Sequence, residues 1–159
     1  MPTPDSTNSA SYRLTVVDGA LPAGFFSSAN MEPDLTSQQE DLPVLQELMR
    51  REPLFHSAEF GTTRKDFERM TASSFREVGA SGRRYSRQFV LDGLEKKFKN
   101  PIELVWEVRD FHCFKIAPGN YLATYTLVQG ERVTRRATIW RRLGRDWQAV
   151  YHQGTVVEP

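Results

Sequence analysis

The chain has 159 residues and a formal net charge of +1, with apolar and charged fractions typical of a globular protein. This length suits one domain with one core, and the near-zero charge argues against a protein that coats nucleic acid or an anionic membrane. A single cysteine, Cys113, excludes an internal disulfide and favours a reducing compartment. The apolar runs are too short to cross a bilayer, so no membrane association is expected.

The N-terminal part of the chain differs in composition from the rest. Residues 1–40 are rich in Ser, Pro, Thr, Asn and Asp, which predicts a disordered or loosely packed tail in front of a domain over residues 41–157. Met1 and Met31 both fit as the native start. The first residues have neither a basic leader nor an apolar core, so we expect a cytoplasmic protein.

Three helices are predicted in the first half of the domain. The first begins at Asp41, a good N-cap, and is ended or kinked by Pro53. The second begins at Thr63, which lies three residues before Asp66 in a capping-box pattern. The third begins at Ser86, and its apolar stripe is Val90, Leu94 and Phe98.

Strands follow the helices. A short strand is predicted over residues 75–78, and the apolar period then changes to two in four longer segments, residues 102–116, 121–129, 133–142 and 147–156. Turn residues separate these segments, which is typical of an antiparallel meander. The predicted fold class is α+β, with the helices packed on one face of the sheet.

Four segments resemble one known superfamily: REPLFH at residues 51–56, EVGASGRRY at 77–85, TIWRR at 138–142 and WQAVYHQGT at 147–155. Together with Trp140 and Trp147, which flank the last hairpin, they are similar to the nuclear-transport-factor-two-like superfamily. That group includes SnoaL-like cyclases and ketosteroid isomerases, and the resemblance is to an uncharacterised branch near the association domain of calmodulin-dependent kinase. It covers roughly residues 41–156 and matches no catalytic signature of the enzymes.

The resemblance implies a cone-shaped, strongly curved antiparallel sheet with about three helices packed on it. In such folds the concave side of the sheet holds a ligand pocket, and the convex side commonly forms a homodimer. Because the fold hosts many unrelated functions, it does not by itself name a ligand or a reaction.

The turns allow the two faces of the predicted sheet to be assigned. Pairing His112 and Arg136 with Tyr125 places an aromatic set with a few polar groups on one face, the usual composition of a small-molecule pocket. A bulge near Asp110 would exchange the faces beyond it. The predicted ligand pocket is Trp106, Tyr125, Arg136, Thr138, Trp140, Tyr151 and Gln153. The opposite face is aliphatic and is predicted to carry Val105, Phe111, Cys113, Leu122, Val128, Ala137, Ile139, Val150 and His152.

Asp110 and His112 are the candidate catalytic residues. On a regular strand they point the same way, so the carboxylate would orient the imidazole as a general acid or base beside Tyr125. The alternative interpretation is structural: Asp110 marks a bulge and His112 makes one hydrogen bond. Arg136 would bind an anionic ligand or would need a carboxylate such as Glu77 as its partner.

No metal and no cofactor are predicted, because the histidines lack metal-ligand spacing and no glycine-rich phosphate loop is present. Two functional hypotheses therefore stay open. The first is a homodimeric module that binds a small molecule or serves assembly. The second is a small enzyme of the isomerase, cyclase or dehydratase type that uses Asp110 and His112 as an acid-base pair.

Overall fold

The computed structural model describes residues 33–101 and 105–158. Residues 1–32 of the predicted tail and residues 102–104 of the first predicted long strand lie outside this part, and the division at residue 41 stays a prediction. The elements, in chain order, are a 3-10 helix (Gln39–Asp41), α1 (Leu42–Met49), α2 (Arg64–Met70), β1 (Thr71–Val78), β2 (Arg84–Ser86), α3 (Arg87–Lys99), β3 (Glu107–Ala117), β4 (Asn120–Gln129), β5 (Arg132–Leu143) and β6 (Asp146–Val156).

The strands form one six-stranded sheet in the order β2-β1-β6-β5-β4-β3. The predicted meander over β3, β4, β5 and β6 is confirmed, and so is the α+β class with helices N-terminal to the long strands. The sheet is mixed rather than wholly antiparallel, because β1 pairs in parallel with β6. The short β2, which sequence patterning missed, pairs with β1 after the turn at residues 79–82.

Two of the three predicted helix starts have the expected caps. Thr63 and Asp66 form a reciprocal capping box at α2, and the Ser86 hydroxyl accepts a hydrogen bond from the Phe89 amide at α3. The side chain of Asp41 makes no cap bond at α1. Its buried carboxylate instead accepts a hydrogen bond from the Lys115 amide of β3, at 3.3 Å.

All three helices pack on one face of the sheet. Leu48 of α1, Phe67 of α2 and Leu91 of α3 are fully buried in one core cluster with Ala123, Trp140 and Ala149 of the sheet. The inner face is defined here as the face that carries Ala123, Tyr125, Leu127, Thr138, Trp140 and Ala149. The outer face carries Leu122, Thr124, Thr126, Ala137, Ile139 and Tyr151.

The predicted strand register is correct for β4 against β5, where Tyr125 pairs with Arg136 and Tyr121 with Trp140. It is wrong for β3, because His112 pairs with Thr124 and not with Tyr125. The pairing shifts by one residue between Ala117 and Lys115, next to the turn, and again at a bulge between His112 and Arg109, where Asp110 has a φ of 51°. A bulge at this place was anticipated, and the extra residue reverses the faces beyond it.

The register is also wrong for the second half of β6. Trp140 pairs with Ala149 as predicted, but Thr138 then pairs with His152 and Arg136 with Gly154. An irregularity next to the Ile139–Trp140 step of β5 leaves Val150 without a partner. His152 therefore lies on the inner face, and Tyr151 and Gln153 lie on the outer face.

Candidate functional site

A cavity of about 260 Å³ lies between α3 and the inner face of the sheet. The segment after α1 forms one wall through Leu54, Phe55 and His56, and α3 forms the other through Val90, Leu94 and Lys97. The remaining lining residues are Glu77, Tyr85, Phe89, Gly93, Arg136 and His152. Most of this surface is apolar, and its polar groups are few and converge, as is usual for a small-molecule site.

Two cationic side chains reach this cavity. Arg136 of β5 is half-buried and donates from Nε to the Thr134 hydroxyl at 3.1 Å. No carboxylate in residues 33–101 and 105–158 lies within ion-pair distance of its guanidinium. Lys97 donates from Nζ to the Phe55 carbonyl at 3.0 Å, and burial lowers the pKa of its ammonium. Both cations retain donors for a further acceptor.

Two histidines of the cavity are neutral at physiological pH. Burial, assisted by the Lys97 cation, lowers the pKa of His56 to about 4. Burial, assisted by the Arg136 cation, lowers the pKa of His152 to about 3. The Nδ1 atom of His152 lies 2.8 Å from the Thr138 hydroxyl. These rings therefore add hydrogen-bonding groups to the cavity without adding charge.

Glu77 of β1 is the one carboxylate among the residues that line the cavity. It is half-buried and lies beside His152 in the β1–β6 register. Burial raises its pKa, and the Arg136 cation opposes that shift. A partly buried carboxyl group that faces a cavity is a candidate general acid or base.

A second carboxylate, Glu52, lies deeper than the cavity and is occupied by the protein itself. It accepts hydrogen bonds from the Leu54 amide at 2.6 Å, the Tyr125 hydroxyl at 2.7 Å and the Trp140 indole at 3.0 Å. Burial raises its pKa against these bonds. Tyr125 and Trp140, predicted for the pocket, are buried and hold this wall in place without lining the cavity.

Of the other residues predicted for the pocket, some lie at the cavity and some lie on the outer face. The ring of Trp106 packs edge-on against His56, with centroids 5.5 Å apart, and Arg136 lines the cavity itself. The register that placed Tyr151 and Gln153 in the pocket was wrong. Their side chains hydrogen-bond to each other at 2.6 Å on the outer face, behind the bulge in β6.

Asp110 and His112 also lie away from the cavity. The Asp110 carboxylate accepts a hydrogen bond from the Thr126 hydroxyl on the outer face, at 3.1 Å, and lies 3.5 Å from Arg135. His112 pairs with Thr124 on the same face. The bulge at Asp110 thus places both side chains opposite the face that carries Tyr125. Phe111 and Cys113, predicted for the aliphatic face, accordingly lie on the inner face, where Phe111 stacks on Tyr125 and Cys113 is buried. His152, predicted for the same face, is also buried on the inner face, because of the irregularity in β6.

Comparison with known proteins identifies the fold. A protein with a cystatin-like fold from Caulobacter vibrioides superposes with a TM-score of 0.55 at 18% identity, over 76% of this chain and 92% of that one. A proposed dehydratase of the NTF2-like (nuclear-transport-factor-two-like) family from Streptomyces avermitilis gives 0.58 at 14% identity, over 74% and 98%. The chain has the NTF2-like fold. No protein-family model and no curated protein matches its sequence.

A third NTF2-like neighbour matches the predicted branch. It comes from Exiguobacterium sibiricum, and its proposed assignment is a calcium/calmodulin-dependent kinase II association domain. The TM-score is 0.51 at 17% identity, over 81% of this chain and 98% of that one. At such identities the likeness shows the fold alone.

The part of the chain that the structure describes holds no group of three His, Cys, Asp or Glu side chains arranged for a metal ion. None of its helices has the length and apolar character needed to span a membrane.

Sequence reasoning missed several cavity residues of this NTF2-like domain. One signal was present: Lys97 follows Val90 and Leu94 at helical spacing, so it shares their face of α3. Glu77 was considered only as a partner for Arg136. His56 and His152 gave no local signal, because their burial depends on the irregular segment after α1 and on the bulge in β6.

Proposed function

We propose that this domain binds a small anionic molecule in the cavity between α3 and the inner face, without transforming it. The observation that carries the proposal is the convergence of Lys97 and Arg136 on a largely apolar cavity. A partly buried cation without a carboxylate partner is unfavourable, and a bound carboxylate or similar anion would supply that partner.

The remaining groups of the cavity strengthen this charge balance. His56 and His152 are neutral at pH 7 because their pKa values are depressed, so they do not repel Lys97 and Arg136. Burial raises the pKa of Glu77 and the Arg136 cation opposes that shift, and Glu77 is one carboxylate against the two cations that line the cavity. An anionic ligand therefore fits the cavity better than a cationic one.

Titration of simple carboxylates, followed by isothermal calorimetry, tests the proposal. Arg136→Gln and Lys97→Gln should each weaken binding by about tenfold or more, since a hydrogen bond to a charged group contributes about 1.5–3 kcal/mol. Lys96→Gln is the matched control, because Lys96 is exposed on the same helix, and it should leave binding unchanged. Equal affinity in wild type, Arg136→Gln and Lys97→Gln would contradict the proposal.

We infer in addition that two copies associate through the outer face. Phe114, which is 42% exposed, and the half-buried Leu122 and Ile139 form an apolar surface there. An open groove lined by Ile139, Val150 and Tyr151 runs beside them. The assignment of the E. sibiricum neighbour as an association domain supports self-assembly.

A cytoplasmic location fits the buried thiol of Cys113, whose pKa burial raises to about 12.

The second candidate function is proton-transfer catalysis. It is favoured by the raised pKa of Glu77 inside the cavity and by the proposed dehydratase assignment of the S. avermitilis neighbour. Glu77 is then a better candidate base than the Asp110–His112 pair, which lies on the outer face. With any substrate that is turned over, Glu77→Gln should abolish the rate and Asp110→Asn should preserve it. The reverse result would return the role to Asp110.

A further inference from the structure

One stripe of α3 presents three different surfaces to the cavity. Phe89, Gly93 and Lys97 follow one another at intervals of four residues, so they lie on the same face of the helix. All three line the cavity. At a rise of about 1.5 Å per residue the stripe is about 12 Å long. It offers an aromatic ring at one end, bare backbone in the middle and a cation at the other end.

Gly93 has no structural reason to be glycine. It lies inside a 13-residue helix, where glycine is less favourable than alanine. A Cβ built on Gly93 would meet no atom within 4 Å, so no neighbour demands the missing side chain. The space in front of its backbone belongs to the cavity. A flat group could approach this backbone at van der Waals distance, and a methyl group would hold it off.

The rim of the cavity is aromatic. Phe89 is 62% exposed, and its ring stacks on Tyr85 with centroids 5.0 Å apart and planes 11° from parallel. Tyr85 is held from behind, because a Cβ at Gly79 would lie 2.8 Å from its ring. A stacked pair of rings at a cavity mouth, with Tyr85 half-buried and Phe89 exposed, is a surface that an aromatic ligand would cover.

The volume limits the size of the ligand. An apolar cavity of about 150 Å³ accommodates benzene, and this cavity measures about 260 Å³. One ring with a short acidic arm fits the difference. A ring at Gly93 lies one helical turn from Lys97, which is the reach of a one- or two-carbon arm.

From the stripe, the rim and the volume, we propose that the ligand is a planar aryl acid. Its ring lies against Gly93 beneath the Tyr85–Phe89 pair, and its anionic group lies between Lys97 and Arg136. This inference rests on the proposed anion-binding function and names its ligand class.

Phenylacetate and hexanoate are the probes, because they share a carboxylate and a similar apolar size but only phenylacetate has a flat ring. Calorimetry on the full chain should give phenylacetate an affinity about tenfold higher, the scale on which hydrophobic pockets discriminate shape. Gly93→Ala should weaken phenylacetate by about tenfold while raising Tm by about 2–4 °C. That rise shows that the variant is folded. Lys96→Ala, on the exposed side of α3, is the control and should not alter binding.

Two results would overturn the inference: equal affinity for phenylacetate and hexanoate, or unchanged phenylacetate binding in Gly93→Ala. Either result, combined with weaker binding of both acids in Arg136→Gln, would leave the proposed anion site standing. If Arg136→Gln changes the affinity of neither acid, the proposed function itself fails. The measurements therefore separate an error in the ligand class from an error in the site.

Discussion

Glu52 shows how a single buried carboxylate organises the wall beneath the cavity. Its two oxygens accept from the Leu54 amide, the Tyr125 hydroxyl and the Trp140 indole. These donors come from the segment after α1, from β4 and from β5. Each of them would be left without an acceptor in a buried place if the carboxylate were removed. Glu52 thus joins the segment that carries Phe55 and His56 to the sheet.

Truncation of Glu52 should be far more damaging than its neutralisation. Glu52→Ala is expected to lower the free energy of unfolding by about 3–5 kcal/mol, since each orphaned buried donor costs about 1–3 kcal/mol. Glu52→Gln keeps one acceptor oxygen, and only part of the network loses its partner, so about 1–2 kcal/mol is expected. Urea unfolding of both variants measures the difference. Equal losses would show that charge, and not hydrogen bonding, is what Glu52 contributes.

His152 should make the fold sensitive to acid. Its pKa is about 3 in the folded chain and about 6.5 when unfolded, so between these values the unfolded state binds the extra proton. Stability is therefore full above pH 6.5 and falls as the pH drops towards 3. The groups that face it are the Arg136 and His56 side chains, which also disfavour its charge, and Glu77 beside it.

His152→Asn, which can retain a hydrogen bond to Thr138, removes this proton site. Between pH 7 and pH 4.5 the wild type should lose about 2–3 kcal/mol more stability than His152→Asn, at 1.36 kcal/mol per pKa unit. His56, Glu52 and Glu77 are present in both proteins, so the comparison removes their contributions except where they act through His152 itself. Denaturant unfolding at several pH values gives the two curves. If the free energy of unfolding of the two proteins changed with pH in the same way, His152 would have the same pKa in the folded and the unfolded chain.

At the scale of elements, the capping carboxylate at the start of α2 packs closely against the backbone of Gly61. Gly61 has a φ of 110°, and a Cβ placed on it would lie 2.2 Å from the Asp66 Cγ. Asp66 is the residue that closes the capping box with Thr63. The glycine therefore serves two purposes, since it adopts the unusual φ and leaves room for the capping carboxylate.

Gly61→Ala should destabilise the domain by about 2–3 kcal/mol, through backbone strain and displacement of Asp66. Gly82→Ala is a matched control: its φ is 78°, but a Cβ there would meet nothing within 4 Å, so only the strain remains. Thermal unfolding should rank Gly61→Ala well below Gly82→Ala. In an Asp66→Gly background, which removes the Asp66 Cβ at 2.5 Å as well as the carboxylate, the gap between the two substitutions should close. If the difference in stability persisted, the added methyl group at Gly61 would be clashing with a residue other than Asp66.

The edge of the sheet is protected by the segment before α1. The outward-facing amides of Cys113 and Lys115 on β3 donate to the Ser37 hydroxyl and the Asp41 carboxylate. An open edge strand invites pairing with another chain, and these side chains occupy it. The sequence pattern predicted Asp41 as a helix cap, because a cap is a local signal and a contact with β3 is not.

The fold was predictable from sequence because its signals are local. Helical and alternating periods, caps at Thr63 and Ser86, and tight turns between the long strands each act within a few residues. The same logic placed Arg136 and Thr138 on the inner face, where the structure has them, since the β4–β5 hairpin has a two-residue turn and no bulge. The predicted register was wrong in β3 and in the second half of β6, where Asp110 and Val150 interrupt the strand pairing.

The site was only partly predictable, because a bulge reverses every side chain beyond it. The irregularities on either side of the segment from His112 to Lys115 put Cys113 instead of His112 on the inner face. The bulge at Val150 put His152 there instead of Tyr151. Neither strand contains a glycine or proline at the bulge to mark it. The sequence indicated an interruption near Asp110, but it gave no sign of the one at Val150.

At the scale of the molecule, the two faces of the sheet have different tasks. The inner face is covered by the helices and contains the core and the cavity. The outer face carries apolar side chains that no helix in the described part of the chain covers, with Ile139 and Tyr151 paired across β5 and β6 near its centre. The proposed self-association would bury this face and leave the cavity open to its ligand.

Ile139→Lys tests this arrangement. A stable interface buries about 800 Å² on each partner, and a lysine charge at its centre would cost several kcal/mol to desolvate, which corresponds to a loss of affinity of about a hundredfold or more. Sedimentation velocity at micromolar concentration should find a wild-type dimer and a monomeric Ile139→Lys. Val156→Lys is the control, because it places a lysine at an exposed apolar residue at the end of β6 and on the inner face, away from the proposed interface, and it should stay dimeric. Circular dichroism checks that both variants are folded. A monomeric wild type, or an Ile139→Lys that still dimerises, would show that the outer face is not the interface, and its exposed apolar side chains would then need another partner.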